Sequence, residues 1–150
     1  MKLLPVLKED NIDKDDPVRK GLSFNDRTYG SREFLKLVDS DGQIHAAICI
    51  SICNEIPTTM GEMYNFSDFN GHVAVFYTVW SYKPGGGRNI VNISIDKFKD
   101  NTKLKRFVTL SPKTEMAKNF HLKNGAITLN NNAESDNYEY VIQTTSTKKI

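Results

Sequence analysis

Short apolar runs separated by polar turns extend along most of the chain, and their spacing predicts strands in the first half. Residues 34–38 and 46–53 lie on either side of an Asp-Gly turn at 41–42, which predicts an antiparallel hairpin. Residues 72–80, HVAVFYTVW, combine β-branched and aromatic side chains, as a strand buried on both faces does. Residues 54–71 show no clear period and are expected to form a loop with room for one helical turn.

The segment that follows the buried strand fits two patterns. Val91, Ile95 and Phe98 fit one face of a helix, whereas the alternation of apolar and polar residues around Ile93 would suit a strand. The pattern is long for a strand, so we predict a helix over 88–100.

The next helix carries its own boundary signals. After a predicted strand at 105–110, Ser111 and Pro112 are typical of the N-cap and first position of a helix. Asn124 is its expected end, with Gly125 as the C-terminal cap. The remaining strands are predicted at 127–129 and 138–142.

The predicted order is β-β-β-α-β-α-β-β, which favours a central mixed sheet flanked by helices, an α/β or α+β arrangement. The 150 residues suffice for a single domain, 1–150, without a second core. Residues 1–20 are interpreted as an N-terminal arm without a pattern of its own, and 143–150 as a frayed tail.

Composition narrows the choice of partners. The net charge of +2 is too small to indicate nucleic-acid binding. No apolar run approaches the roughly 20 residues of a transmembrane helix. Charges from Lys8 to Asp10 interrupt the apolar start, unlike a signal peptide. We therefore expect a soluble, cytoplasmic protein with no nucleic-acid or membrane partner.

Cys49 and Cys53 are the two cysteines of the chain. On one strand they would face the same way about 13 Å apart, too far for a disulfide between them. With three scattered histidines and no CxxC, the sequence predicts no metal site. Buried thiols are the better interpretation.

A glycine-rich segment, KPGGGRN, joins the most apolar strand to a predicted helix. Consecutive glycines let the backbone approach a ligand, and the helix N-terminus adds unpaired N–H donors and partial positive charge. The segment has neither the Walker lysine nor the GxGxxG spacing, so a plain flexible turn is the alternative to an anion site. The predicted pyrophosphate site consists of Lys83, Gly85, Gly86, Gly87, Arg88 and Asn89.

This strand, glycine-rich turn and helix resemble the acyl-coenzyme A signature of the GCN5-related N-acetyltransferase (GNAT) superfamily, although Tyr82 stands where its motif begins with Gln or Arg. The resemblance is closer to the catalytic domain of malonyl-CoA decarboxylase and covers roughly residues 26–142. The blocks that carry it are VFYTV (75–79), TLSP (109–112), NFHLKNGA (119–126) and NYEY (137–140).

The resemblance implies a GNAT fold that binds a small-molecule acyl-CoA thioester, malonyl-CoA or acetyl-CoA, as its substrate. It places the pantetheine arm beside Val79 and Trp80. It also makes His121 of the NFHL block the catalytic residue, since an imidazole can exchange protons near neutral pH. The family's Ser-x-Ser after VFY is absent, and Thr78 or Ser81 is the nearest hydroxyl that could replace it.

Three functions stay open. The first is decarboxylation of malonyl-CoA to acetyl-CoA and CO₂. The second is transfer of an acetyl group to a small amine or a protein, for which Glu55 and Glu62 are the nearest candidate bases, because the buried strand has no carboxylate. The third is a non-catalytic CoA-binding or interaction protein.

Overall fold

The computed structural model describes residues 1–142 and shows a seven-stranded mixed sheet in the order β1-β2-β3-β4-β5-β7-β6. Within this part of the chain only β4 and β5 are parallel neighbours. The strands are β1 (Lys2–Pro5), β2 (Arg32–Val38), β3 (Ile44–Cys53), β4 (Val73–Ser81), β5 (Arg106–Thr109), β6 (Ile127–Asn131) and β7 (Asp136–Tyr140). The helices are α1 (Phe24–Thr28), α2 (Met60–Phe66), α3 (Gly86–Phe98) and α4 (Glu115–Lys123).

This architecture confirms the predicted class of fold. The expected order appears as β2-β3-β4-α3-β5-α4-β6-β7, with β1, α1 and α2 in addition. The ambiguous segment after β4 is a helix, as its length indicated. The predicted tail, 143–150, lies outside the described residues.

Two apolar clusters cover the two faces of the sheet. On one face Ile90 and Val91 of α3 pack with Phe76 of β4. On the other face Met63 of α2 packs in the cluster that contains Tyr77 of β4. Because β4 contributes to both clusters, it is buried on both faces, as its composition predicted.

The two cysteines of β3 belong to the second cluster. Both are buried and neither forms a disulfide. Burial raises the pKa of Cys49 to about 12 and also raises that of Cys53. The interpretation of buried thiols is confirmed.

The sheet opens between β4 and β5. β4 has a bulge at Tyr77, which is passed over in the register with β3. The parallel ladder ends where Phe76 pairs with Thr109, and its last hydrogen bond is donated by the Leu110 N–H to the Phe76 carbonyl at 3.0 Å. A bulge bends its strand and increases its twist. Beyond this point the two strands diverge.

The predicted start of α4 is wrong by several residues. Ser111 does not cap the helix, because its backbone N–H and C=O pair with Asp136 in a further bridge of the sheet. The cap is Thr114, whose hydroxyl accepts a hydrogen bond from the Ala117 N–H at 3.2 Å. The Ser-Pro signal therefore marks the turn before the helix.

The N-terminal segment is more ordered than the predicted arm. Residues Lys2–Pro5 form β1, which pairs with β2 at the edge of the sheet. Short 3-10 turns follow at Lys8–Asp10 and Asp13–Asp15, and the next residue, Asp16, is 1% exposed. The four residues of β1 are mostly exposed and show no apolar alternation, which explains why no pattern revealed the strand.

Two smaller differences concern the loop and the last strand. The region 54–71 contains the seven-residue helix α2, capped by Thr59. β7 begins two residues earlier than predicted and ends at Tyr140. Val141, which the sequence assigned to this strand, lies outside it and is 61% exposed. None of the helices described in residues 1–142 has the length and apolar character that crossing a membrane requires.

Candidate active site

The diverging ends of β4 and β5 open a cleft of about 330 Å³. Helix α4 forms one side of this cleft, and Pro17 and Val18 of the N-terminal segment also line it. Most of the lining side chains are apolar. Of the predicted site residues, Thr78, Val79, Trp80, Ser81, Gly87 and His121 line the cleft.

The glycine-rich turn leads from the end of β4 into the N-terminus of α3. Gly85 caps the helix with φ 77°, a conformation that favours glycine. Its N–H and that of Arg88 have no hydrogen-bond acceptor within residues 1–142. The side chains of Lys83 and Arg88 are exposed beside them. Two free amides and two cations therefore lie in the turn next to Gly87, which lines the cleft, and this arrangement is suited to a phosphate group.

The other amides of the predicted pyrophosphate site already have partners. The Gly86 N–H donates to the Lys83 carbonyl at 2.9 Å, and the Asn89 N–H donates to the Gly85 carbonyl at 3.0 Å. The Gly87 N–H donates to the Ser81 hydroxyl oxygen at 2.6 Å. The anion site that the sequence spread over residues 85–89 thus offers two free donors.

Two of the glycines are required by packing. A Cβ atom on Gly86 would overlap the carbonyl oxygen of His45 on β3. A Cβ atom on Gly87 would lie 2.9 Å from the Ser81 oxygen and 3.2 Å from the Phe120 ring. Their small size lets α3 begin directly against β3, β4 and α4, so the turn is held in place.

His121 of α4 is 8% exposed and lies at the cleft. Its Nδ1 is 2.7 Å from the hydroxyl of Tyr140 on β7, and its ring stacks on Tyr138 with centroids 5.5 Å apart. Its Nε2 has no hydrogen-bond partner within residues 1–142 and is not among the enclosed polar atoms. Burial lowers the pKa of His121 to about 4, so the imidazole is neutral at physiological pH.

The Tyr140 hydroxyl decides which ring nitrogen of His121 carries the proton. Burial raises the pKa of Tyr140 to about 12, so the phenol keeps its hydrogen. Asn124 donates a long hydrogen bond, 3.5 Å, to the same oxygen. We assign the hydroxyl as the donor to His121 Nδ1, because no other group within residues 1–142 accepts its hydrogen, and this assignment places the imidazole proton on Nε2. The sequence block NYEY contained Tyr140, but no pattern assigned it this role.

The Thr78 hydroxyl points to the N-terminal segment. It donates to Asp16 Oδ1 at 3.0 Å, and the same oxygen accepts from the backbone N–H groups of Val18 and Arg19. Burial alone would raise the pKa of Asp16, but these amides and the guanidinium of Arg27 hold it below its usual range. The single proton of Thr78 is therefore committed to an ionised carboxylate.

Neither hydroxyl predicted to assist His121 contacts it. The Thr78 hydroxyl donates to Asp16, and the Ser81 hydroxyl oxygen accepts a hydrogen bond from the Gly87 N–H at the start of α3. Both residues line the same cleft as His121. Their roles as catalytic residues stay predictions.

The two residues expected beside the pantetheine arm differ in their surroundings. Val79 is half-buried and packs against the cluster below α3. Trp80 Nε1 donates to the Tyr82 hydroxyl at 2.9 Å, which in turn donates to Asp15 at 2.6 Å. Trp80 and Tyr82 thus fasten the N-terminal segment to the end of β4.

The carboxylates considered as bases for an amine do not line the cleft. Glu62 accepts hydrogen bonds from the backbone and hydroxyl of Thr58, which lower its pKa. Glu55 is exposed on the loop after β3. No Asp or Glu is among the cleft residues described in 1–142, and no three His, Cys, Asp or Glu side chains there are grouped as a metal site requires.

The most important residues that the sequence did not reveal lie in the segment 13–27. Arg27 is fully buried and pairs with Asp16 at 2.7 Å. The guanidinium of Arg19 donates to the carbonyls of Tyr77 and Leu110, one on each side of the opening between β4 and β5. Asp16 and Arg19 lie in the run KEDNIDKDDPVRK, which has the composition of a surface segment, so no sequence signal distinguished their charges.

Comparison with solved structures identifies the fold. Malonyl-CoA decarboxylase from Agrobacterium vitis matches with TM-score 0.63 and 18% identity over 79% of this chain, which spans 35% of that protein. The GphF GNAT-like decarboxylase in complex with isobutyryl-CoA matches with TM-score 0.69 and 12% identity, over 94% of this chain and 99% of that one. A point mutant of the spermidine N-acetyltransferase SpeG from Vibrio cholerae matches with TM-score 0.61 and 9% identity, over 93% of this chain and 92% of that one.

These structures show that the chain has the GNAT fold, as the glycine-rich turn and the NFHLKNGA block predicted. No protein family and no curated protein matches the sequence. This chain spans about a third of the length of the A. vitis decarboxylase. At 9–18% identity the likeness defines the fold and not the activity.

Proposed function

We propose that this protein is an acyl-CoA enzyme that decarboxylates malonyl-CoA or a close relative to the corresponding acyl-CoA and CO₂. The observation that carries the proposal is His121, a buried neutral imidazole that lines the cleft, with Nδ1 hydrogen-bonded to Tyr140 and Nε2 without a partner within residues 1–142. The GNAT fold and the malonyl-CoA decarboxylase and GphF decarboxylase structures support it.

The residues at the cleft fit coenzyme A. The amides of Gly85 and Arg88, with the side chains of Lys83 and Arg88, would bind the pyrophosphate at the helix N-terminus. The apolar walls beside Val79 would then take the pantetheine arm into the opening between β4 and β5. This direction brings the thioester toward His121.

In decarboxylation the bond between Cα and the carboxylate breaks, CO₂ leaves, and the electron pair is delocalised onto the thioester oxygen as an enolate. The Nε2–H of His121 is placed to donate a hydrogen bond to that oxygen as its charge develops. With a pKa of about 4, His121 stays neutral and acts as a hydrogen-bond donor. A proton from water then goes to Cα, which leaves hydroxide and completes the acyl-CoA product.

A transferase is the second candidate, supported by the SpeG structure. An amine acceptor would need to lose a proton before attack. The cleft residues described in 1–142 include no carboxylate, and the one carboxylate next to Thr78 is Asp16, which is saturated with hydrogen bonds. These contacts favour a reaction with a single substrate.

A non-catalytic CoA-binding protein is the third candidate. The observation that favours it is the engagement of both hydroxyls, Thr78 with Asp16 and Ser81 with Gly87, which leaves His121 without a hydroxyl partner from β4. Such a protein would bind CoA thioesters and leave them unchanged.

Mass spectrometry of malonyl-CoA incubated with the protein tests the proposal. We expect acetyl-CoA to form with the parent protein and not with His121→Ala. His72→Ala is the matched control, because His72 is exposed at the start of β4, far along that strand from the cleft. Unchanged malonyl-CoA would refute decarboxylation, and release of CoA from acetyl-CoA only when an amine is added would identify a transferase.

A further inference from the structure

The ladder between β4 and β5 ends at the cleft, and one side chain bridges the two strands just beyond its end. The last paired residues are Phe76 and Thr109. The next residues along the chain are Tyr77 and Leu110, whose carbonyls accept from Arg19: Nε donates to Tyr77 at 2.9 Å and Nη2 donates to Leu110 at 2.8 Å. The guanidinium thus takes the place of main-chain donors that the interrupted ladder no longer supplies.

The shape of the guanidinium constrains how far apart these two carbonyls lie. Nε–H and one N–H of Nη2 stand side by side on one edge of a planar, rigid group. Acceptors that share this edge are held at a fixed spacing, as in bidentate pairs. The ammonium group of a lysine has no such edge, since its donors rotate on a flexible stem. Arg19 is therefore a spacer of defined width between the two strands.

Both bridged residues belong to the walls of the cleft. One wall includes residues 76–81 along β4, and the other includes residues 110–112 after β5. Tyr77 and Leu110 lie where these two walls begin. The separation that Arg19 sets between their carbonyls therefore determines the width of the opening beyond them.

The N-terminal segment holds Arg19 itself in place. The Arg19 N–H donates to Asp16 at 2.9 Å, and its carbonyl accepts from the buried Arg27 at 3.0 Å. Pro17 and Val18, between these contacts, line the cleft. Burial lowers the pKa of Arg19, although the group stays charged at neutral pH. The bridge is therefore formed before a ligand binds, which reduces the entropy cost of binding.

We infer that Arg19 is a positioning residue that keeps β4 and β5 at the separation needed by the pantetheine arm of a CoA thioester, and so directs the thioester to His121. It acts through the carbonyls of Tyr77 and Leu110 and does not itself contact the ligand. Without Arg19 these carbonyls would pair with water or with the facing strand, and either change alters the width of the opening. This inference rests on the proposed function, because the arm is that of the proposed substrate.

Calorimetric titration with two ligands tests the inference: CoA, and 3′-phospho-ADP, the half of CoA that ends at the pyrophosphate. Arg19→Gln should weaken CoA binding by at least about tenfold, the loss expected when the contacts of the arm are misplaced. Binding of 3′-phospho-ADP should change less than about twofold, since its phosphates lie at the glycine-rich turn. Acetyl-CoA should lose as much affinity as CoA, because both carry the same arm.

Two further variants separate the planar fork from charge and from general stability. Arg19→Lys keeps the charge but not the fork, so it should bind CoA nearly as weakly as Arg19→Gln. Arg106→Gln is the matched control, because Arg106 uses the same Nε and Nη2 edge to bind Glu139 at 2.7 Å on β5, outside the cleft lining. It should leave both affinities unchanged, and 3′-phospho-ADP binding reports that each variant is folded.

Three outcomes would overturn the inference. Equal losses for CoA and 3′-phospho-ADP would make Arg19 a general support of the fold, and unchanged CoA affinity would show that the bridge does not set the width of the opening. Full CoA affinity in Arg19→Lys would show that the spacing of the fork is not needed. Turnover of malonyl-CoA is measured separately, so a parent protein that binds CoA through this bridge but releases no CO₂ would refute decarboxylation and leave the role of Arg19 intact.

Discussion

Replacing Arg27 by methionine should destabilise the fold by about 3–5 kcal/mol, the usual cost of leaving a buried charge without its partner. Arg27 and Asp16 have side chains 0% exposed and lie 2.7 Å apart. The guanidinium also donates to the carbonyls of Asp13, Arg19 and Leu22. Methionine fills similar space, so most of the loss comes from Asp16 and these carbonyls.

Urea denaturation followed by fluorescence measures this effect, because the protein has a single tryptophan. Trp80 is buried and lies 5.7 Å from the Arg27 guanidinium. With a slope of about 2 kcal/mol per M, the midpoint should fall by about 2 M. Arg32→Met is the matched control: Arg32 stacks on Tyr64 near the surface, and its loss should cost less than about 1 kcal/mol.

A double variant separates the pair from simple loss of packing. Asp16→Asn combined with Arg27→Met removes both charges, so it should be less destabilising than the sum of the two single changes. The reasoning is refuted if Arg27→Met lowers the midpoint no more than Arg32→Met does, or if the two single changes are additive.

Three further predictions concern the cleft. Gly86→Ala forces the start of α3 away from β3 and should cost about 1–3 kcal/mol and weaken CoA binding, whereas Gly21→Ala, with open space around it, should do neither. Tyr140→Phe should lower kcat about tenfold with KM unchanged, as loss of a positioning hydrogen bond does. Tyr29→Phe, at an exposed tyrosine, is the control, and a rise in KM alone would contradict the positioning role of Tyr140. Nitrogen NMR of the His121 imidazole reports its tautomer directly. Since burial lowers the pKa of His121 to about 4, turnover should stay flat through about pH 6.5 and fall only toward pH 4. A turnover midpoint near the ordinary histidine pKa would contradict the neutral state of His121. The folded state also takes up this proton less readily than the unfolded state, so His121 makes the free energy of unfolding decrease as the pH falls below about 6.5.

The elements that the sequence predicted are those whose signal is local. β4 consists of consecutive apolar residues because it is buried on both faces, and the hairpin of β2 and β3 is marked by its turn. The glycine-rich turn was also recognisable, since Gly85 needs a positive φ and Gly86 approaches another strand closely. His121 was found through the resemblance of its sequence block, whereas its neutrality follows from burial, which no local pattern shows.

The contacts that the sequence did not predict join distant residues. Thr78 and Asp16 are 62 residues apart, and Arg19 reaches Leu110 across 91 residues. The side chains of Asp16 and Arg19 belong to a segment whose composition is typical of a solvated surface, and Thr78 pairs with that segment. Only the fold shows that β4 and β5 separate and leave carbonyl groups for Arg19 to bind.

The same network that removes the Thr78 hydroxyl from the cleft also bears on the reaction that the cleft can support. Asp16 accepts the Thr78 proton and the Arg19 amide through one carboxylate oxygen, and its other oxygen accepts from Arg27, so this carboxylate is not free to take a proton from an amine. A transferase would need a base in that region. A decarboxylase needs none there, because the electron pair left behind by CO₂ is delocalised onto the thioester oxygen, for which the Nε2–H of His121 is a suitable donor. The departure of Thr78 from the decarboxylase pattern is therefore compatible with decarboxylation.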